Sequence, residues 1–280
     1  MKSLRKQVWV KKNWHLSALM LVIVIVVNLP VLLMVMNSFK TNTEIMTSSS
    51  FFPQRLQFEN YVHVSERTKF WTQFKNSWIV AFYGTFFSII IAALAGYAIS
   101  RYRGRVLSLF SNSLLMLQMF PLILVLIPLF VLFRSFNMID SYYTVIILYL
   151  TVHLPFAIWM YKGFFDSIPK DLEEAAWMDG CTRLGGFLRI VLPVSGPGIA
   201  AVAIFSFLFS WNEYMIANVF LRNEEYMTIP VGLQMFMQQF STDWGSLTAA
   251  ATIAMLPVLV FFLFVQKYMI YGAVAGSVKG

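Results

Sequence analysis

Six long apolar runs decide what this chain can fold into. Each holds roughly 20 or more predominantly apolar residues, the length at which a helix crosses the hydrocarbon core of a bilayer. They fall at about 16–38, 77–99, 106–133, 142–163, 192–220 and 246–270 of the 280 residues. Lipid offers no partner to an exposed backbone amide or carbonyl, so spans this long and this apolar are expected to be helices, not strands. The expected fold class is therefore all-α: a polytopic membrane protein of six transmembrane helices, read as a single transmembrane domain over residues 1–280. Composition agrees, since 59% of residues are hydrophobic and 12% charged, against about 45–50% and about 25% in soluble domains. The third and fifth runs exceed a simple span and call for tilt or a kink, and Pro121 and Pro128 suit a kinked third helix. The first run follows a basic start, like a signal peptide. It is nevertheless longer than the roughly 7–15 apolar residues of a cleaved one and has no A-x-A site behind it. It reads as helix one.

Lys and Arg placement orients the spans. Lys2, Arg5, Lys6, Lys11 and Lys12 start the chain, and Arg101, Arg103 and Arg105 lie between the second and third runs. Lys162, Lys170, Arg183 and Arg189 flank or fill the segment between the fourth and fifth, and Lys267 and Lys279 come near the end. That side holds fourteen of the 21 basic residues, and five of the other seven lie in one long loop where the rule is weakest. Both termini and the segment between runs four and five are thus expected in the cytoplasm, and a net charge of +8 reports this topology with no need of a nucleic-acid partner.

Several chemistries have no motif here. There is no G-x-x-x-x-G-K-[ST] phosphate loop, no H-E-x-x-H and no G-x-S-x-G. His15, His63 and His153 fall in different segments and make no metal site. The single cysteine, Cys181, allows no disulfide framework and has no histidine nearby in sequence. Gly185-Gly186 and Gly196-Pro197-Gly198 lack the strand and helix context of a nucleotide fold and read as a loop and a turn. The chain is not expected to be an enzyme or to bind a cofactor.

Against this background the stretch Asp171 to Pro193 stands out, with four acids, two arginines and three glycines between apolar runs. A simple connection between membrane helices needs only a few residues. Asp171 and Glu174 have capping-box spacing, and Asp171, Glu173 and Glu174 sit where a helix N-terminus favours negative charge. Pro169 leaves the cap open between Ser167 and Asp171. A short helix from about 170 to 179 follows, with Gly180 placed to end it in a left-handed turn. The small side chains of Ala175 and Ala176 would let another protein approach closely. The stretch reads equally as a solvated surface helix or as a docking helix.

Glu174, Ala175, Ala176, Gly180, Ile190, Leu192 and Pro193 match the pattern EAA-x3-G-x9-I-x-L-P at every fixed position. This resembles the permease subunits of binding-protein-dependent ABC importers. MLQMFP at 116–121, DLEEAA at 171–176 and the run from Trp244 to AGSVKG at 275–280 make the chain similar to the smaller membrane subunit of maltose-type importers, in the carbohydrate-uptake subfamily, with a core at about 72–268. The resemblance implies that the motif forms a cytoplasmic coupling helix between helices four and five, seated in a cleft of an ATP-binding subunit. There Glu174 would pair with a basic residue, Ala175 and Ala176 would permit close approach, and Gly180 would permit the bend. It also implies a second, different permease subunit as heterodimer partner, two ATP-binding subunits that use ATP and Mg, an extracytoplasmic solute-binding protein, and a multi-pass place in a bacterial or archaeal cytoplasmic membrane.

For the solute, the resemblance puts a pathway between the two permease subunits. Glu213 is the only acid deep in an expected span, and an intramembrane ionisable residue is a functional hypothesis by default. Asn212 and Gln118 can bind hydroxyls, and Trp211 or Tyr214 can offer a ring to a sugar. Alternatively, these residues hold helices together or mark the outer interface. His153, beside Pro155, reads as a hydrogen-bonded packing residue. In the outer loop 222–244, Gln238, Gln239, Phe240 and Asp243 are candidates for binding-protein contact; the loop differs from that of the maltose-type subunit and is shorter, so a plain connection is an equal reading. The other outer segment, about 40–76, is too polar to cross the membrane. An ion-coupled secondary transporter with Glu213 and His153 carrying a proton is the rival reading, although the two similar halves such proteins often show are not detected. A structural or receptor component is a third.

Overall fold

The computed structural model describes residues 14–237 and 242–276. Among them the chain is helical with no strand, apart from one isolated bridge between Met237 and Thr242. The helices are α1 (Trp14–Asn37), α2 (Asn42–Thr47), α3 (Glu59–Arg67), α4 (Phe70–Arg101), α5 (Arg105–Met119), α6 (Leu122–Ser135), α7 (Tyr142–Asp166), α8 (Asp171–Met178), α9 (Arg183–Val194), α10 (Gly196–Asn212), α11 (Met215–Phe220), α12 (Ile229–Gln234) and α13 (Trp244–Gly276). Four of these (α1, α4, α7 and the Trp244–Tyr268 part of α13) are long and apolar enough to cross a membrane alone, and the number rises to six if the bent pairs α5/α6 and α9/α10 each count as one span.

Those two pairs are the overlong runs of the sequence. The third breaks at Phe120–Pro121, where both residues are extended, and bends by 99°. Pro121 supplies the break because proline has no amide to continue the helical ladder. The fifth, also expected to tilt or kink, is bent and then interrupted within 192–220. It bends by 78° at Ser195, and α10 ends at Asn212, where Glu213 turns extended before the separate α11.

The chain divides into two compact units. One comprises residues 1–68 and 236–253. In it α1 is apolar and exposed around most of its surface, as befits a helix whose solvent is lipid. The polar segment after α1 is tied down by Asn60, whose amide donates to the carbonyls of Ser38 and Lys40, both at 2.8 Å. Asp243 accepts from the Ser246 amide and so caps the start of α13, while His63 Nδ1 meets the Ser246 hydroxyl at 2.9 Å.

The other unit comprises residues 69–235 and 254–280, and its centre is α4, α7 and α10. Small residues let their backbones approach closely. A Cβ on Gly96 would lie 2.8 Å from that of Tyr161 on α7, and one on Gly84 2.8 Å from the Ser210 hydroxyl on α10. One turn along, the hydroxyls of Ser88 and Ser206 are hydrogen-bonded at 2.8 Å. Tyr97, Tyr161, Phe165, Phe187 and Val191 fill one end of this core. That aromatic end sits under α8.

Candidate functional site

Helix α8 is the short acidic helix of the sequence, and its start differs from the expected cap. Lys170 is the capping residue and makes no side-chain bond, Asp171 is already the first helical residue, and Ser167 closes α7. The first turn still carries Asp171, Glu173 and Glu174, where the helix dipole favours them. At the other end the Cys181 amide donates to the Ala176 carbonyl at 3.0 Å and the Gly180 amide to that of Trp177 at 3.1 Å, with Gly180 at φ +86°. This pair of bonds around a left-handed glycine is the Schellman stop.

The two adjacent glutamates have opposite fates. Glu173 is buried, 1% exposed, and its carboxylate is fully engaged. Arg101, the last residue of α4, donates from Nε to Oε1 at 2.5 Å, and the Tyr97 hydroxyl donates to Oε2 at 2.6 Å. The same guanidinium donates to the carbonyls of Phe165 (2.9 Å) and Ile168 (3.2 Å), beyond which the chain turns into α8. Arg101 thus ties together the ends of α4 and α7 and the underside of α8. Glu174 and Ala175 face outward, as do Leu172 and Met178, whereas Ala176 is buried against the chain.

Beyond α8, Thr182 caps α9 by accepting from the Gly185 amide at 3.0 Å, and residues Phe187–Val191 form a π-helical turn. Such wide turns insert a residue and redirect side chains. Here Phe187 is turned onto Tyr97, ring centroids 4.5 Å apart. Ile190 and Leu192 are half-buried and Pro193 exposed. Arg183 lies over the rings of Trp177 and Tyr102, at 5.5 and 5.6 Å. The motif residues thus form one folded patch with α8 outermost. The sequence marks Arg101 as an orienting basic residue and Glu173 as a first-turn acid but not their pairing, although a basic residue in the last turn of an apolar span is a signal that points to an anchor.

The residues suggested for a solute pathway are scattered. Trp211 is buried and donates its indole N–H to the Ala254 carbonyl at 3.2 Å. Asn212 bonds back to the Leu208 carbonyl, and the Tyr214 hydroxyl contacts the Gln234 side chain. Glu213 accepts at both oxygens, from the amides of Ile216 (2.8 Å) and Ala217 (3.1 Å), and so caps α11. Gln118 is exposed on α5 beside the break at Phe120. Gln238, Gln239 and Phe240 lie outside the described residues. His153 occupies the expected packing position at 1% exposure, with no side-chain hydrogen-bond partner for either ring nitrogen. No group of three or more metal-ligating side chains occurs among the described residues.

Residues 84–270 match the family described as "Binding-protein-dependent transport system inner membrane component". The chain belongs to this family. It is 32% identical to a sulfoquinovosyl glycerol transport system permease protein of Agrobacterium fabrum, over 90% of this chain and 88% of the relative. It is 33% identical to a diacetylchitobiose uptake system permease protein of Streptomyces coelicolor, over 90% and 91%. Its fold is that of a chain in the crystal structure of a bacterial ABC transporter that imports the acidic polysaccharide alginate, with a TM-score of 0.76 at 22% identity over 92% of this chain and 97% of that one. As a member of this family the chain is a polytopic membrane component of a transport system.

Proposed function

We propose that the chain is one of two permease subunits of an ATP-driven importer of sugars or oligosaccharides, and that α8 is the helix by which an ATP-binding subunit moves it. The observation that carries this reading is the division of labour between Glu173 and Glu174. An outward Glu174–Ala175 face backed by a buried ion pair is what a mechanical handle requires: a surface open to a partner and a base that does not give. A push on α8 passes through Arg101 to the ends of α4 and α7 together, so the helices move as a rigid body between two states.

In this reading the energy comes from two ATP-binding subunits that use ATP and Mg, while this chain binds neither. A different permease subunit completes the pathway, and an external solute-binding protein delivers the sugar. Both termini and α8 face the cytoplasm, in line with the basic residues clustered on that side. The carbohydrate class rests on relatives named for sulfoquinovosyl glycerol and diacetylchitobiose.

The test is the purified complex recovered through a tag on this chain. Vanadate-sensitive ATP hydrolysis stimulated by a sugar-loaded binding protein is expected. Uptake that collapses with the ion gradient while ATP is held constant would instead favour the secondary transporter.

A further inference from the structure

The ends of α4 and α7 beside the start of α8 enclose a pocket of about 530 Å³, within the roughly 300–1,000 Å³ usual for small-ligand sites. Four cations line it, Arg101, Arg103, Lys162 and Lys170, against a single carboxylate, Asp166. Two of the four are engaged. Arg101 holds Glu173 and the Phe165 and Ile168 carbonyls, and Lys162 holds Asp166, four residues on, at 2.5 Å. Asp166 also accepts from the Ser100 hydroxyl at 2.6 Å, so the one acid of the lining is taken up from two sides.

Arg103 and Lys170 are different. Both are exposed, and among the described residues neither side chain makes an ion pair or a hydrogen bond. One follows the last turn of α4 and the other precedes the first turn of α8, so two uncommitted cations reach one pocket from separate elements. The pocket also sits at a particular depth. It is formed at the last turns of α4 and α7, both long and apolar enough to cross a membrane. Lys162 lies 5.5 Å from the ring centroid of Trp159, one turn earlier on α7, and tryptophan favours the membrane–water interface. Basic pockets between membrane helices on the cytoplasmic side suit anionic lipid headgroups.

We infer that this pocket binds the phosphate of an anionic membrane lipid such as phosphatidylglycerol, between Arg103 and Lys170. A phosphate compound in free solution presents the same charge, but a pocket at the ends of two spans lies where lipid is already concentrated. Lys170 caps α8 and Arg103 lies two residues beyond Arg101. A phosphate between them is therefore a second tie from α8 to the end of α4, beside the Arg101–Glu173 pair. The inference goes beyond the importer reading and shares with it only the cytoplasmic placing of α8.

The experiment uses the assembly purified through a tag on this chain and stripped of lipid in dodecyl maltoside. Dioleoylphosphatidylglycerol, dioleoylphosphatidylcholine or glycerol 1-phosphate is added, and bound molecules are counted by native mass spectrometry. One phosphatidylglycerol per copy of this chain is expected to bind ahead of phosphatidylcholine. Arg103→Gln and Lys170→Gln should each weaken it about fivefold, and together about 25-fold, at roughly 1 kcal/mol per basic residue near a membrane surface. Arg105→Gln, at an equally exposed arginine outside the lining, should leave it unchanged. All three side chains are exposed, so melting temperatures are expected to hold. An equal loss from Arg105→Gln makes the binding a property of diffuse surface charge and overturns the pocket as a site. Displacement of the lipid by glycerol 1-phosphate at equal concentration overturns the lipid as the source of the phosphate. Unchanged lipid binding by the double variant overturns the inference outright, and loss of the ATP-binding subunit from that variant assigns the pocket to an acidic side chain of the partner. If the wild type brings down no ATP-binding subunit, the importer reading falls, while lipid binding by the chain still decides the pocket.

Discussion

Arg101 and Glu173, 72 positions apart in the chain, form an ion pair of 2.5 Å in which the arginine side chain is 8% exposed and the glutamate 1%. A buried pair of this kind is a weak source of net stability, because desolvating both charges offsets their attraction. Its consequence is positional. With the Phe165 and Ile168 carbonyls also on the guanidinium, any movement of α8 away from α4 strands a charge in a low-dielectric site.

Removing one member of the pair is therefore expected to cost about 3–5 kcal/mol, the scale for leaving a buried charge uncompensated. Glu173→Ala should lower the melting temperature of the solubilised protein and its recovery in the complex. Glu173→Ala with Arg101→Met, which removes both charges, is expected to recover most of the stability but not the coupling of ATP hydrolysis to uptake. Thermal unfolding and sugar imported per ATP separate the two effects.

Glu174→Ala is expected to behave in the opposite way. The side chain is exposed, so the melting temperature of the chain alone should be unchanged, whereas loss of a docking contact of hot-spot size lowers uptake by about tenfold or more. Wild-type uptake together with wild-type recovery of the ATP-binding subunit would remove Glu174 from the interface.

At Gly180 the strain is conformational. Nothing lies within 4 Å of an added Cβ, yet φ is +86°, a region that costs an L side chain about 1–2 kcal/mol. Gly180→Ala should destabilise by that amount in thermal unfolding, and Gly180→Asn by less, since asparagine tolerates left-handed geometry.

Glycine at the end of α8 was readable because the sterics of a left-handed residue are local. The long apolar runs were readable for a similar reason, since bilayer thickness acts on each separately. Pro121 announced a break, but the 99° angle depends on packing between elements, to which a single run is blind. Glu173 and Glu174 mark the limit most clearly. They are adjacent, chemically identical and on one short helix, and which of them turns inward is decided by Arg101, at the end of a different span. Glu213 looked like an acid stranded in a helix only because the apolar run continues through it; the backbone breaks there, and the carboxylate turns to the amides of the next helix.

That geometry yields a last expectation for Glu213. Both oxygens accept backbone amides, from Ile216 and Ala217, the arrangement of a helix cap, for which loss of the side chain costs about 0.5–2 kcal/mol. Glu213→Ala should destabilise on that scale. Glu213→Gln keeps one acceptor oxygen and should lose less, with import per ATP within about threefold of wild type, as for a single neutral hydrogen bond. A proton-carrying role predicts the reverse for the glutamine variant: a well-assembled complex with no uptake, because an amide can cap but cannot titrate. Uptake by Glu213→Gln in proteoliposomes, with a protonophore present and ATP held constant, distinguishes the cap from the carrier, since only the carrier needs both the acid and the gradient.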